Sequence, residues 1–125
     1  RAGMDYFLDC EIIEYNSIEE FYQKHPNQEI FYITRYAKKV YSDEDYSLPT
    51  KDYYFMFGRE STGIPYDVLK NHLDHCLRIP MQRNARSLNL SNCVALVSYE
   101  ACRQQDFYLL ATEETFKGAD FLLKE

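Results

Sequence analysis

The chain has 125 residues, 46% of them hydrophobic, with 12 Tyr, 8 Phe and a formal net charge of −6. That composition excludes intrinsic disorder, and the length suits one domain with a core that needs no staples. The acidic balance argues against nonspecific nucleic-acid binding by overall charge. No apolar run reaches the length of a membrane span and the opening RAGMDYFLDC lacks the regions of a signal peptide, so a soluble cytoplasmic protein is expected.

In chain order, Cys10 to Tyr15 (CEIIEY) predicts a strand, and Ser17-Ile-Glu-Glu20 is a capping box that opens a helix running to about Lys24, before Pro26. Glu29 to Thr34 (EIFYIT) predicts a second strand, rich in aromatic and β-branched residues. Residues 35–51 are polar, turn acidic at Asp43-Glu44-Asp45, and predict a surface loop with a short extended piece at Val40-Tyr41. Asp52 to Phe57 (DYYFMF) predicts a strand covered on both faces. It leads into the glycine-bracketed turn Gly58 to Gly63, after which Pro65 starts a helix through about Leu73. Cys76 to Ile79 predicts a fourth strand, stopped by Pro80. A polar loop follows, then a long helix over residues 89–105 with Asn89 and Ser91 as capping candidates. Strand and helix alternate, which predicts an α/β fold: a mostly parallel sheet with helices on both faces and ligands at the carboxyl ends of the strands. Three such ends stand out: Ile33-Thr34, Phe57-Gly58 and Ile79-Pro80-Met81.

The apolar run Cys93 to Val97 covers more than one turn of the long helix, so the helix should be buried on most sides. A second subunit is the simplest cover for the side that the sheet leaves open. The four cysteines form no C-x-x-C pair, and Cys93 and Cys102 fall on opposite faces of one helix, as reduced thiols would. His72, His75 and Cys76 have a ligand-like spacing but no fourth partner, so no metal is expected. The tail, residues 106–125, shows no clear period and suggests packing alone.

Charge is distributed unevenly. Residues 76–105 carry four Arg against one Glu, so a basic loop sits on an acidic body. Arg83, Arg86, Ser87 and Asn89 cluster where the long helix begins, and a helix N-terminus presents unpaired N–H groups suited to an anionic ligand. A capped core helix behind a solvated loop accounts for the same residues. In FGRESTGIP the glycines permit a tight turn and close backbone approach to a ligand, while Glu60 either caps the next helix or serves a site.

Together FGRESTGIP, RIPM, RSLNLSN and YEACRQ resemble the second and third motifs of the SPOUT RNA methyltransferases, and among them the small tRNA 2′-O-methyltransferases of the wobble cytidine or uridine. The resemblance covers about residues 1–105, including AGMDY near the start. It implies an α/β fold whose C-terminal part threads a trefoil knot, a homodimer formed through the helix 89–105, tRNA as partner, and S-adenosylmethionine as cofactor. It places the cofactor against Ile33, Gly58, Ile79, Met81, Ser87 and Leu88, puts Glu60, Ser87 and Asn89 in or beside the catalytic centre, and gives Arg86 a substrate phosphate to grip.

One departure stands out: the family's first motif, an NTGN-type loop with a following arginine, is absent from this sequence. The chain is therefore expected to be a single methyltransferase domain, 1–125, lacking its first strand and helix and weak or inactive alone. A noncatalytic RNA-binding or S-adenosylmethionine-binding module is the alternative. Arg59 replaces a proline common among close relatives and adds a cation near the site.

Overall fold

A computed structural model describes residues 10–85 and 89–124. The first helix, α1 (Ile18–Lys24), starts where the capping box predicts. Ser17 Oγ accepts from the Glu20 N–H at 3.1 Å, while the Glu20 carboxylate accepts from the Asn16 N–H at 2.6 Å. The first of these satisfies a donor that a helix start leaves unpaired, and the second ties down the residue just before the cap.

Four strands follow: β1 (Ile30–Ile33), β2 (Lys39–Val40), β3 (Tyr54–Met56) and β4 (Cys76–Arg78). They form one sheet in the order β2-β4-β1-β3, with every pair parallel. Ile30 faces Tyr54, Tyr32 faces Cys76, and Lys39 faces Leu77. A parallel sheet is stable only where its faces are covered, and the alternation along β1 shows how the two faces divide. Ile30 and Tyr32 pack with Ile64, Leu69 and Cys76, and with Phe21 and Tyr22 of α1. Phe31 instead packs with Tyr46, Leu77 and Ala101.

The helix α2 (Tyr66–Lys70) is shorter than predicted and gives way to a 3-10 turn at Leu73–His75. The long helix α3 (Leu90–Gln104) has its predicted bounds, with Asn89 Oδ1 accepting from the Ser91 N–H at 2.9 Å.

Several expectations need correction. The segment Cys10–Tyr15 is not a strand: it pairs with nothing among the described residues, and Ile12 and Ile13 are exposed. Strand propensity without a partner edge leaves the backbone donors to water. The segment 35–51 is more than a surface loop. The extended piece expected at Val40-Tyr41 forms one residue earlier, at Lys39–Val40, and adds to the sheet beside β4, and Tyr46 is wholly buried. The α3 C-terminus holds that tyrosine in place: Gln104 Oε1 accepts from the Tyr46 N–H at 2.7 Å, Gln104 Nε2 donates to Glu44 O at 2.9 Å, and Gln105 Nε2 donates to Tyr46 O at 2.8 Å. Nor is α3 buried on most sides within this chain. Val97 is its one buried residue, while Val94, Leu96 and Tyr99 are exposed. In the tail, a 3-10 turn forms at Phe121–Leu123, and Leu109, Phe116 and Leu122 stand in solvent rather than packing.

His72, His75 and Cys76 diverge instead of converging. His72 stacks on Tyr32 with ring centroids 4.7 Å apart, His75 Nε2 lies 3.3 Å from Glu29, and the Cys76 thiol meets the His72 carbonyl.

Candidate functional site

In a parallel sheet the strands all end on one side, and chain leaving neighbouring strands opens a crevice there. β1, β3 and β4 end beside one another, and a cleft of about 600 Å³ lies beyond them. Ile33, Gly58, Glu60, Ile79 and Met81, picked from separate stretches of sequence, all line it. Asn89 stands next to it as the cap of α3, whose first residue, Leu90, is also in the wall. Arg86, Ser87 and Leu88 lie outside the described residues.

The turn after β3 is built by its two glycines. Gly63 takes the left-handed φ of +70° that closes the turn, and its N–H donates to Arg59 O at 2.8 Å. Gly58 is needed for another reason: a Cβ there would sit 2.2 Å from Gly63 C and 2.3 Å from Ile64 N. The near approach is therefore between two stretches of the protein's own backbone. Glu60, at the tip of the turn, does not cap α2, the helix that follows it. Its carboxylate points to the start of α3, 3.5 Å from the Leu90 N–H, where the helix dipole favours negative charge.

Opposite this turn, Thr34 to Tyr36 forms the other wall. The Thr34 N–H donates to Leu77 O at 2.9 Å, Ala37 N–H donates to Thr34 O at 3.3 Å, and Arg78 reaches from β4 to donate to Arg35 O. At the mouth, Arg35, Tyr36 and Tyr66 form a cluster that the sequence reading missed. Its members are far apart in the chain and no motif marks them. The bond to Tyr66, and next the Arg35 guanidinium, hold the Tyr36 hydroxyl below the usual tyrosine range. The same bond pushes Tyr66 above it.

The mouth therefore carries Arg35 and Arg59 against Glu60 on a chain that is acidic as a whole. The cleft floor is apolar, with Ile33, Ile64 and Ile79. An apolar floor edged by strand-end backbone, in a volume typical of small-molecule sites, fits the adenosine part of S-adenosylmethionine.

Known proteins bear on the same residues. The family model described as the SpoU rRNA methylase family matches residues 1–99. A candidate tRNA (cytidine(34)-2′-O)-methyltransferase of Listeria monocytogenes is 48% identical over 116 residues, covering 93% of this chain and 69% of the relative. The crystal structure of a candidate RNA methyltransferase from Bacillus anthracis is 51% identical with a TM-score of 0.84, covering 90% of this chain and 71% of that one. A structure concerned with 2-OH methylation of C/U34 on tRNA is 30% identical with a TM-score of 0.72, covering 85% of this chain and 67% of that one. With the family model spanning the β1, β3 and β4 ends that build the cleft, and relatives this similar along nearly the whole chain, the protein belongs to the SpoU rRNA methylase family.

Proposed function

We propose that this chain transfers a methyl group from S-adenosylmethionine to the ribose 2′-oxygen of the wobble nucleotide in a tRNA anticodon loop. The observation that carries this reading is the meeting of Ile33, Gly58, Ile79 and Met81 in one cleft, with Glu60 at its edge. The relatives named for cytidine(34) of tRNA supply the substrate.

When bound, the cofactor supplies a sulfonium methyl as electrophile. The residues Ile33, Gly58, Ile79, Met81, Ser87 and Leu88 hold it, the first four through strand-end backbone and apolar wall. The remaining task is to aim the 2′-oxygen in line with that methyl and to relieve it of its proton. Glu60, Ser87 and Asn89 serve this centre, with Glu60 joining the β3 turn to the α3 N-terminus.

The reading extends to the fold. In this reading helices cover both sheet faces, which the packing of Phe21 and Tyr22 of α1 on one cluster and of Ala101 of α3 on the other supports, and the C-terminal part threads a trefoil knot. The exposed Leu96 and Tyr99, about 60° apart around α3, meet the same face of a second copy, giving a homodimer. Residues 1–125 act as one domain in the cytoplasm, where tRNA is found. Among the described residues, no helix is long and apolar enough to cross a membrane.

Labelled methyl transfer to bulk tRNA by the full-length protein, followed by nuclease mapping, tests the reading. The label is expected on the ribose at the wobble position. Cofactor and tRNA binding without transfer would reduce the chain to a binding module, and label on a base would remove the ribose assignment.

Arg86 gives a second test. Arg86→Ala is expected to weaken tRNA binding and to lower its salt dependence by about one counterion, with S-adenosylhomocysteine affinity unchanged. Arg86→Lys should recover only part of the loss, because a point charge lacks the paired donors of guanidinium. Filter binding across a salt series reads both, and an unchanged slope in the Ala variant would return Arg86 to a purely structural role.

A further inference from the structure

Tyr36 and Tyr66 are 55% and 59% exposed, unusual for two large rings that touch each other and line a cleft. Their centroids are 5.6 Å apart at 85°, and their hydroxyls share a hydrogen bond of 3.2 Å. Arg35 Nη2 donates to the Tyr36 hydroxyl at 2.8 Å, and its guanidinium carbon lies 4.8 Å from that ring's centroid. Neither ring is on a loose loop. Tyr36 sits in the turn that Thr34 and Arg78 pin to β4, and Tyr66 follows Pro65 as the first residue of α2.

Fixed aromatic surface in solvent, with an arginine against it, is the combination that binds single-stranded nucleic acid: every base has a face to stack, and the cation takes a phosphate. We infer that the Tyr66 ring, braced edge-to-face by Tyr36, is the stacking platform for the unpaired base of the target nucleotide, with Arg35 on an adjacent phosphate. The inference rests on the proposed function and adds how the substrate is selected. A base in a duplex has both faces covered and cannot use the platform, whereas a loop base can. The tyrosines are positioning residues that hold the nucleotide while its ribose meets the methyl donor.

The test uses the full-length protein and a synthetic tRNA anticodon stem-loop, either intact or abasic at the wobble position. Tyr36→Ala and Tyr66→Ala are expected to lose about 5- to 150-fold in affinity for the intact stem-loop. Tyr66→Phe should keep most of it, and all variants should bind S-adenosylhomocysteine like the parent. The abasic RNA should bind the parent more weakly by a similar factor and lose little further on Tyr66→Ala, since both changes remove one contact. Circular dichroism melts matching the parent's establish that the variants fold.

Additive losses, or Ala variants that bind the intact RNA like the parent, would overturn the inference. So would a parallel loss of S-adenosylhomocysteine affinity, which would put the tyrosines in the cofactor's part of the cleft, or a change of oligomeric state, which would make them a subunit contact. A parent chain that neither binds nor methylates the stem-loop defeats the proposed function as well. Parental activity with insensitive tyrosines defeats this inference alone.

Discussion

Gly58→Val is expected to abolish S-adenosylhomocysteine binding and to destabilise the protein by about 3 kcal/mol, the upper end of the usual range for overpacking. From sequence, Gly58 looks like a place where backbone must meet a ligand, so a larger residue should block binding and spare the fold. The structure assigns the crowding differently. The Cβ position is 2.2 Å from Gly63 C and 2.3 Å from Ile64 N, and Ile64 belongs to the buried core. Neither atom is the end of a flexible side chain, so the turn must open, and Gly58→Ala should already do much of the damage. Gly63 offers the contrast. A Cβ there meets nothing within 4 Å, and only its φ of +70° is unfavourable, so Gly63→Ala should cost about 1–2 kcal/mol. Thermal melts with calorimetric titration separate the two. A Gly58→Val protein with parental melting and parental affinity would mean that the turn is not packed as described.

Leu77→Ala should cost about 2–5 kcal/mol, the range for a truncated core leucine. Leu77 is completely buried, lies in the strand between β1 and β2, and packs with Phe31 and Tyr46. Large aromatic neighbours fill a void poorly because they move as rigid plates, which favours the upper part of that range. The backbone bond from Thr34 N–H to Leu77 O does not depend on the side chain, so the cleft wall should survive in the molecules that remain folded. Urea denaturation followed by far-UV circular dichroism measures the loss. A change below about 1 kcal/mol would mean that the site collapses around the smaller side chain.

What the sequence disclosed was mainly local. The Ser17–Glu20 box is a four-residue device whose partners lie within it, and Asn89 caps α3 through neighbours two and three residues on. The strand ends at Ile33, Gly58 and Ile79 were visible because proline, glycine or polar residues follow apolar runs. What remained hidden depends on distant partners. Tyr46 looks like a loop residue until Gln104 and Gln105 take up its backbone groups. CEIIEY has strand propensity, but no edge pairs with it among the described residues. Glu60 reads in sequence as a cap for the helix that follows it, whereas the N-terminus it reaches belongs to α3, thirty residues along the chain. Tyr36 and Tyr66 carry no signal at all until the fold brings them together.

The strand order also has a consequence for synthesis. Among the described strands β1 leaves the ribosome before the others yet lies inside the sheet, flanked by β3 and β4, and β2 pairs with β4. Until Cys76–Arg78 emerges, β1 has only β3 to pair with among the described strands, while β2 waits without β4. Such sequence-distant pairing slows folding and leaves strand edges open in the nascent chain. Ile30, Phe31 and Tyr32, which the finished sheet buries, are then the residues most exposed to wrong partners. Slowed translation just before β4 is thus expected to raise aggregation more than the same pause placed after α3.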